Sequence, residues 1–381
     1  VSHGDQPYLH EPPDIGDALA EAGAAVGLVY LDVFERERTA LDRPEMREGS
    51  LGGPDTTARS EVVWQVKVAP LESVSLTVVQ RNAFRAAAVA IRTLRQNLAA
   101  ATTDDQRRTL RRQLRNAVRS LSANTAGAGI GCDITLTEWT DLTAPRTPAM
   151  AIKTPPVAPD AGPCDAPPDA DFLGPENQLY RVEVHSTGPA GTRNQTRFKW
   201  SRENGSVVAG IERVGTETDG VQSGNVLGVH STGRDSYLGF HNGDWVEYIE
   251  DRLVMEHGVG QLRQISADPE NNEIMLDADV DVRFGYNPKL RRWDQAVDTA
   301  TENAGVAGTV ANTPVGVPMN TNNNTWMLLE HNVWVKFDNA VYRRGDYWQF
   351  AARAASGSID FPETAQPPAG VAHHYAKLGF V

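Results

Sequence analysis

The chain has 381 residues and a formal net charge of −13, which argues against a whole surface built to hold nucleic acid without regard to sequence. Hydrophobic residues make up 40% and charged residues 22%, the proportions of an ordinary folded chain. A mean hydropathy of −0.41, with no apolar run near twenty residues, predicts no membrane-spanning helix.

The size allows two or three domains, or one large β-domain with insertions, and 33 Gly with 23 Pro favour many turns between short strands. The opening VSHGDQPYLHEPPDIGD has neither the basic start nor the apolar stretch of a secretory signal. The chain is therefore expected to be made in the cytoplasm, with release as part of a particle left open. It does not begin with Met, so trimming or a missing upstream segment is also expected. Residues 1–27 read as a Pro- and Asp-rich arm. Strands are predicted at 28–34 and 61–69, where VYLDVF and VVWQVKV alternate apolar and polar residues. Gly52, Gly53 and Pro54 place a tight turn in the connection.

The period then changes. Phe84, Ala87, Ala88, Ile91, Leu94 and Leu98 recur at helical spacing over 81–101, and Leu110, Leu114, Ala117, Val118 and Leu121 do so over 104–121. Thr103 followed by Gln106 forms a capping box, with Asp104 and Asp105 in the first turn where the helix dipole favours anions. Together these predict an antiparallel helical hairpin inserted at 81–125. From Arg81 to Arg119 there are ten Arg and two Asp, a local net charge of +8 that leaves −21 for the rest of the chain.

Residues 126–176 read as a Pro-rich covering loop and 177–381 as the main β-region. In that region LYRVEVH alternates, TRFKWSRENGSVVAGI reads as a hairpin turning at Asn204-Gly205, and Asn242-Gly243 precedes DWVEYIEDRLVM. The acids of EIMLDADVDVRF share one strand face. A long Asn- and Gly-rich loop is expected at 301–325, followed by strands in WMLLEHNVWVKFD, YRRGDYWQFAAR and the closing HHYAKLGF. The fold class these signals predict is mainly β: short antiparallel strands in sandwich- or barrel-like sheets, with the helical hairpin as an insertion.

The candidate chemistry is sparse. His373 and His374 are adjacent and would point to opposite faces of a strand, a poor chelate. Asp277, Asp279 and Asp281 lack the glycine and distal glutamate of a calcium loop. No nucleophile elbow, zinc-protease or phosphate-loop motif occurs in a suitable setting, and the pairs Glu247/Glu250 and Asp360/Glu363 are too common to mark a hydrolase. No catalytic residue, metal ligand or cofactor is therefore assigned. Arg344-Gly345-Asp346 reads as a turn leading into a strand. Cys132 and Cys164 read as free thiols, with a disulfide as the alternative. Arg181, Glu183, Arg197, Lys199, Trp200, Arg202 and Glu203 suit ladders of cross-strand ion pairs; a glycan-binding face using Trp200 and Trp245 is the sharper alternative. The strongest partner signal is the hairpin, with Arg107, Arg108, Arg111, Arg112, Arg115 and Arg119 facing the acidic body of the protein, a neighbouring subunit, or nucleic acid, the last the least favoured.

The blocks YLDVFERERTALDRPEMREGSLGGPDTTARSEVVWQVKV, GPENQLYRVEVHSTGPAGTRNQTRFKWSRENGSVV, HNGDWVEYIEDRL, LRRWDQ and YRRGDYWQFAAR, in this order, resemble an uncharacterised bacterial family often encoded beside phage-tail-like, contractile-injection-type genes. The likeness runs from about Tyr30 to the C-terminus. The Arg-rich hairpin and the Asn-rich loop depart from the family pattern as local insertions, and the family normally has a further amino-terminal region. It has no established catalytic residues, so none is carried over. The resemblance implies a structural or adhesive role: a non-enzymatic structural or adaptor subunit of a larger, phage-tail-like assembly, partnered by itself or by other subunits. The alternative is a carbohydrate-recognition module or glycan-acting enzyme.

Overall fold

The computed structural model describes residues 6–10, 14–24, 26–51, 57–72, 78–127, 136–144, 148–154, 172–187, 196–218, 221–235, 237–294, 316–319 and 326–381. The protein is mainly β, with 40% strand against 22% helix, in antiparallel sheets. The chain begins with α1 (Ile15–Glu21), β1 (Gly27–Arg38), β2 (Arg59–Pro70), α2 (Val78–Ala100), α3 (Asp104–Gly127), α4 (Thr137–Thr143) and β3 (Met150–Lys153). It continues with β4 (Gln178–Ser186), β5 (Arg197–Ser201), β6 (Val208–Thr218), β7 (Val221–Val229), β8 (Trp245–Ile249), α5 (Asp251–Met255), β9 (Gln261–Gln264), β10 (Glu273–Val282) and β11 (Lys289–Trp293). The last strands are β12 (Val317–Pro318), β13 (Met327–Leu328), β14 (Trp334–Phe337), β15 (Tyr347–Arg353), β16 (Ser358–Asp360) and β17 (His373–Phe380). They form two compact units, one of residues 1–34, 64–145 and 373–381, the other of residues 35–63 and 146–372.

In the first unit the sheet order is β17-β1-β2, and Leu28 lies opposite Phe380 and Phe34 opposite His373. Val26, Leu28, Leu71 and Leu136 form its small core, with Trp139 of α4 packed against them. The segment expected as an arm instead contains α1, whose N-cap Asp14 accepts bonds from the Gly16 and Asp17 amides at 2.8 and 3.1 Å. Seven residues span only two turns, too few for the helical period to register in the sequence.

The inserted hairpin is α2 and α3, which pack on each other. The capping box forms reciprocally: the Gln106 amide donates to Thr103 Oγ1 at 3.3 Å and the Thr103 amide to Gln106 Oε1 at 3.4 Å. Ile91 is buried, Leu94, Leu98, Leu110, Leu114 and Ala117 are half-buried, and Val89 and Val118 remain exposed. Apart from Val118, the members of the predicted stripe whose side chains are described lie buried or half-buried where the two helices pack.

Asp32 in β1 is almost fully buried and accepts from Lys67 Nζ at 2.8 Å, with His373 Nδ1 at 2.6 Å from its other oxygen. Burial by itself would raise its pKa, but the bonds to His373 and Lys67 hold the carboxyl below its usual range. A depressed folded pKa stabilises above the unfolded value, and that stability is lost as the pH falls through the folded value. Asp32→Asn should therefore cost about 1.5–3 kcal/mol at neutral pH, with the gap to wild type closing below about pH 4. Urea unfolding at pH 7 and pH 3 measures it; equal gaps at both would refute it.

The second unit combines a barrel and a sandwich. The barrel order is β10-β7-β6-β11-β8-β9, and a bridge between Ile265 and Leu276 brings β9 back to β10, so the sheet nearly closes. Leu227, Val246, Ile274, Leu276, Val280, Val282 and Leu290 fill it. The sandwich sets the sheet β12-β5-β4-β15-β16 against β13-β14-β3 over a shared core that includes Met150, Tyr180, Phe198, Phe337, Trp348 and Phe350.

Two sequence expectations change here. Asn204 and Gly205 do make the expected tight turn, both with positive φ (54° and 64°). The strands on either side do not pair, however: β5 joins the sandwich and β6 the barrel. Phe198 and Trp200 are drawn into one core, Ala209 and Ile211 into the other, and those burials outweigh the local hairpin. Within 126–176, expected as a covering loop, α4 and β3 form; β3 pairs with β14, Val335 opposite Ile152. The run WMLLEHNVWVKFD folds as the hairpin β13-β14, turning at His331 and Asn332, both with positive φ. The turn residues Gly52, Gly53 and Pro54, both cysteines, and 301–315 and 320–325 of the long loop lie outside the described residues.

Candidate functional site

Strand alternation sends Tyr180, Val182 and Val184 of β4 into the sandwich core, so Arg181, Glu183 and His185 project from the opposite face. In β5, Lys199 and Ser201 do the same opposite Phe198 and Trp200. In β8, Val246 and Tyr248 enter the barrel and Trp245 and Glu247 leave it. These outward faces meet in a buried ionic cluster within the second unit. Lys199 Nζ lies 2.7 and 2.6 Å from the two carboxylate oxygens of Glu247 and 3.2 Å from Glu183 Oε1. Trp293 Nε1 donates to Glu247 Oε2 at 2.9 Å, His185 Nδ1 stands 3.5 Å from Oε1, and Lys199 Nζ sits 4.5 Å from the centre of the Trp293 ring. Burial would raise the Glu247 pKa, but Lys199 and His185 pull it well below the carboxylate range. A carboxylate this firmly ionised and bonded is a structural anchor.

Beside the cluster opens a cavity of about 220 Å3 lined by Arg202, Tyr237, Gly243, Asp244, Trp245, Arg292, Trp293 and Asp294. Strand pairing places Trp245 directly opposite Trp293. Asp294 Oδ2 accepts from the Arg202 amide at 2.9 Å and from Ser201 Oγ at 3.2 Å. Its Oδ1 has Arg202 Nε at 3.7 Å and Arg292 Nε at 4.0 Å, both beyond hydrogen-bond distance. Arg292 is committed to backbone, donating to the Gly239 carbonyl and to the Tyr237 carbonyl at 3.0 Å. Trp245 is 4% exposed, and its indole N–H has no acceptor among the described residues.

Arg202 links this cavity to a second group. Its Nη2 lies 2.7 Å from Glu330 Oε2, and Tyr180 Oη is 2.8 Å from Glu330 Oε1 and 2.6 Å from Gln178 Oε1. Burial, only partly offset by Arg202, pushes the Glu330 pKa up to about 7. One phenolic proton faces two acceptors, so either Glu330 carries a proton or the Gln178 amide turns its NH2 to the phenol.

The structure separates the residues singled out in the sequence. Trp200 is buried in the sandwich core against Tyr180, so its ring offers no platform to a sugar. Trp245 lines the cavity, presenting part of a buried ring rather than an open stacking face. Lys199 of β5 pairs across strands with Glu183 of β4, Nζ to Oε1 at 3.2 Å, as the ladder reading expects, whereas Arg181 pairs with Glu183 within β4, Nη2 to Oε2 at 2.6 Å. The chief partner of Lys199, Glu247, reads in the sequence only as half of a common carboxylate pair. Nothing local marks it, although its alternation with Val246 and Tyr248 shows that it leaves the barrel. Asp277, Asp279 and Asp281 are exposed. His373 faces Asp32 while His374 is exposed on the other side. Asp346 is fully buried, its Oδ2 accepting from the Arg343 amide at 2.9 Å in a turn through Gly345 with φ of 76°. On α3, Arg107 lies 3.6 Å from Asp104 and donates to the Ala101 carbonyl at 3.2 Å. Arg108, Arg111, Arg112, Arg115 and Arg119 are exposed and make no ion pair among the described residues.

A family model described as a family of unknown function, DUF6519, matches residues 12–381. The chain belongs to that family. No curated protein and no solved structure matches it. The match covers both compact units and the hairpin alike, so the barrel, the sandwich and the Arg-rich insertion all fall within its span.

Proposed function

We propose that the protein is a non-enzymatic structural or adaptor subunit of a larger assembly, in the phage-tail-like class the sequence resembles, and that the α2–α3 hairpin is the arm by which it docks on an acidic surface of a neighbouring subunit. The observation that carries this is the charge of the hairpin. Ten arginines face two aspartates between Arg81 and Arg119, and five of the arginines on α3 stand exposed without an anion among the described residues. Guanidinium groups in such a row suit carboxylates presented by another protein. The rest of the chain carries −21, so a second copy meets the requirement.

Replacing Arg108, Arg112, Arg115 and Arg119 by Gln removes four charges at nearly unchanged helix propensity. The variant is expected to fold with the wild-type circular dichroism spectrum and to lose association, or to lose it at lower salt than wild type, because exposed pairs are screened over about 8–10 Å at ordinary ionic strength. Native mass spectrometry and light scattering of the full chain across a salt series read the outcome. Assembly unchanged at every salt concentration overturns the proposal, and so does loss of folding, which would mean that the hairpin docks on its own chain.

A further inference from the structure

We infer that the outward face of the sheet β13-β14-β3 docks on the acidic face of β10 in a second copy of this chain. Strand pairing sets Trp334 opposite Lys153, Val335 opposite Ile152 and Lys336 opposite Ala151. Val335 and Phe337 enter the sandwich core, so Trp334, Lys336 and Lys153 point away from it. Trp326, just before β13, joins them there. Lys153 Nζ lies 4.4 Å and Lys336 Nζ 5.0 Å from the centre of its ring, and Lys153 Nζ lies 5.9 Å from that of Trp334. All four side chains are half-buried, so each keeps part of its surface open. Neither ammonium group is closed off from solvent, and neither makes an ion pair or a hydrogen bond among the described residues.

Like charges gathered at one ring repel, and a carboxylate set between them removes the repulsion. The face favours a short acidic stretch of protein over a nucleic acid or a sulfated polysaccharide. A polyanion needs a track of cations, and here two lysines stand on a chain that carries −21 outside the hairpin. Tryptophan beside lysine also calls for apolar contact. β10 supplies both on one face: Met275, 44% exposed, is followed at alternate positions by Asp277, Asp279 and Asp281. Asp277 Oδ1 accepts from the Gln264 amide at 3.1 Å, and Arg263 is turned to the Asp279 carbonyl. None of the three carboxylates makes an ion pair among the described residues. The two faces are different patches of one surface, so the contact is heterologous and passes from copy to copy, closing a ring or extending a filament. It rests on the reading of the protein as an assembly subunit and adds an interface that the hairpin does not make.

The test mixes the full chain with an equal amount of isotope-labelled chain and treats it with a carbodiimide, which joins a lysine amine to a carboxylate in contact with it. Mass spectrometry of the digest is expected to show mixed-label links between Lys153 or Lys336 and Asp277, Asp279 or Asp281. Two variants, Lys153→Gln with Lys336→Gln, and Asp277→Asn with Asp279→Asn and Asp281→Asn, should each weaken self-association by about tenfold in light scattering. Their equimolar mixture should regain one contact, linking lysines of the aspartate variant to aspartates of the lysine variant. The variants act on opposite faces, so if one fails to fold the other still decides. Association without mixed-label links at these residues, or variants that associate as wild type does, overturns the inference and leaves the assembly reading standing. No association at all overturns both. Binding of a heparin fragment or a single-stranded oligonucleotide that the lysine variant loses, without mixed-label links, gives the face to another partner and likewise overturns the inference.

Discussion

Lys199→Met should cost about 3–5 kcal/mol of unfolding free energy, because it leaves a buried carboxylate without its counter-charge. Lys199 and Glu247 are 4% and 3% exposed, and Lys199 Nζ bonds both oxygens of Glu247. Met fills nearly the same volume and keeps contact with the Trp293 ring, so packing changes little. What remains is a buried carboxylate held by the Trp293 N–H at 2.9 Å and by His185 at 3.5 Å, too little to offset its desolvation. The double variant Lys199→Met with Glu247→Leu removes both charges and should lose less than the single one, because no uncompensated ion is left. Urea unfolding of wild type, single and double variants measures all three. A single variant within 1 kcal/mol of wild type, or a double variant worse than the single, would show that the pair is not the anchor described. The same pair sets an acid limit: Glu247 is held well below its ordinary value of 4.5. Its contribution is therefore complete above that value and disappears as the pH falls through the folded one.

Glu330 should give the opposite slope. Its folded pKa is pushed up to about 7 from an ordinary 4.5, so between those values the folded protein holds a proton that the unfolded chain releases. Stability from this group is complete below about 4.5 and declines as the pH rises to 7 and through it, by up to about 3 kcal/mol. Glu330→Gln imitates the protonated acid at every pH. It should fall near wild type at pH 5 and become relatively more stable by pH 8, reduced by whatever the 2.7 Å pair with Arg202 contributes. Chemical unfolding of both proteins at pH 5, 6, 7 and 8 decides it. Parallel stability curves would mean that Glu330 is ionised in the folded state throughout.

Much of the local structure was legible in the sequence because it depends on neighbours along the chain. The alternation in LYRVEVH and EIMLDADVDVRF became β4 and β10, with Asp277, Asp279 and Asp281 exposed on one face of β10, since side-chain direction in a strand follows from its period of two. The helical period and the Thr103–Gln106 box became α2, α3 and the reciprocal cap between them. Asn204 and Gly205 took positive φ as that dipeptide favours. The Arg-rich charge of the hairpin was also plain from composition.

Tertiary structure alone decided where these pieces go. Whether β5 pairs with β6 depended on two competing cores, one taking Phe198 and Trp200, the other Ala209 and Ile211, and burying both sets outweighs one local hairpin. The same choice hid Trp200 and put Trp245 beside Asp294, 49 positions away in the chain. Glu247 carries no local mark of importance, because a carboxylate becomes an anchor only when packing removes water and brings Lys199 to it. The shift of Glu330 arises the same way, from burial beside Tyr180 and Arg202 on other strands and loops. The period of a strand says which residues share a face, but not which face of another sheet will cover it, and the desolvation that sets the chemistry follows from that covering.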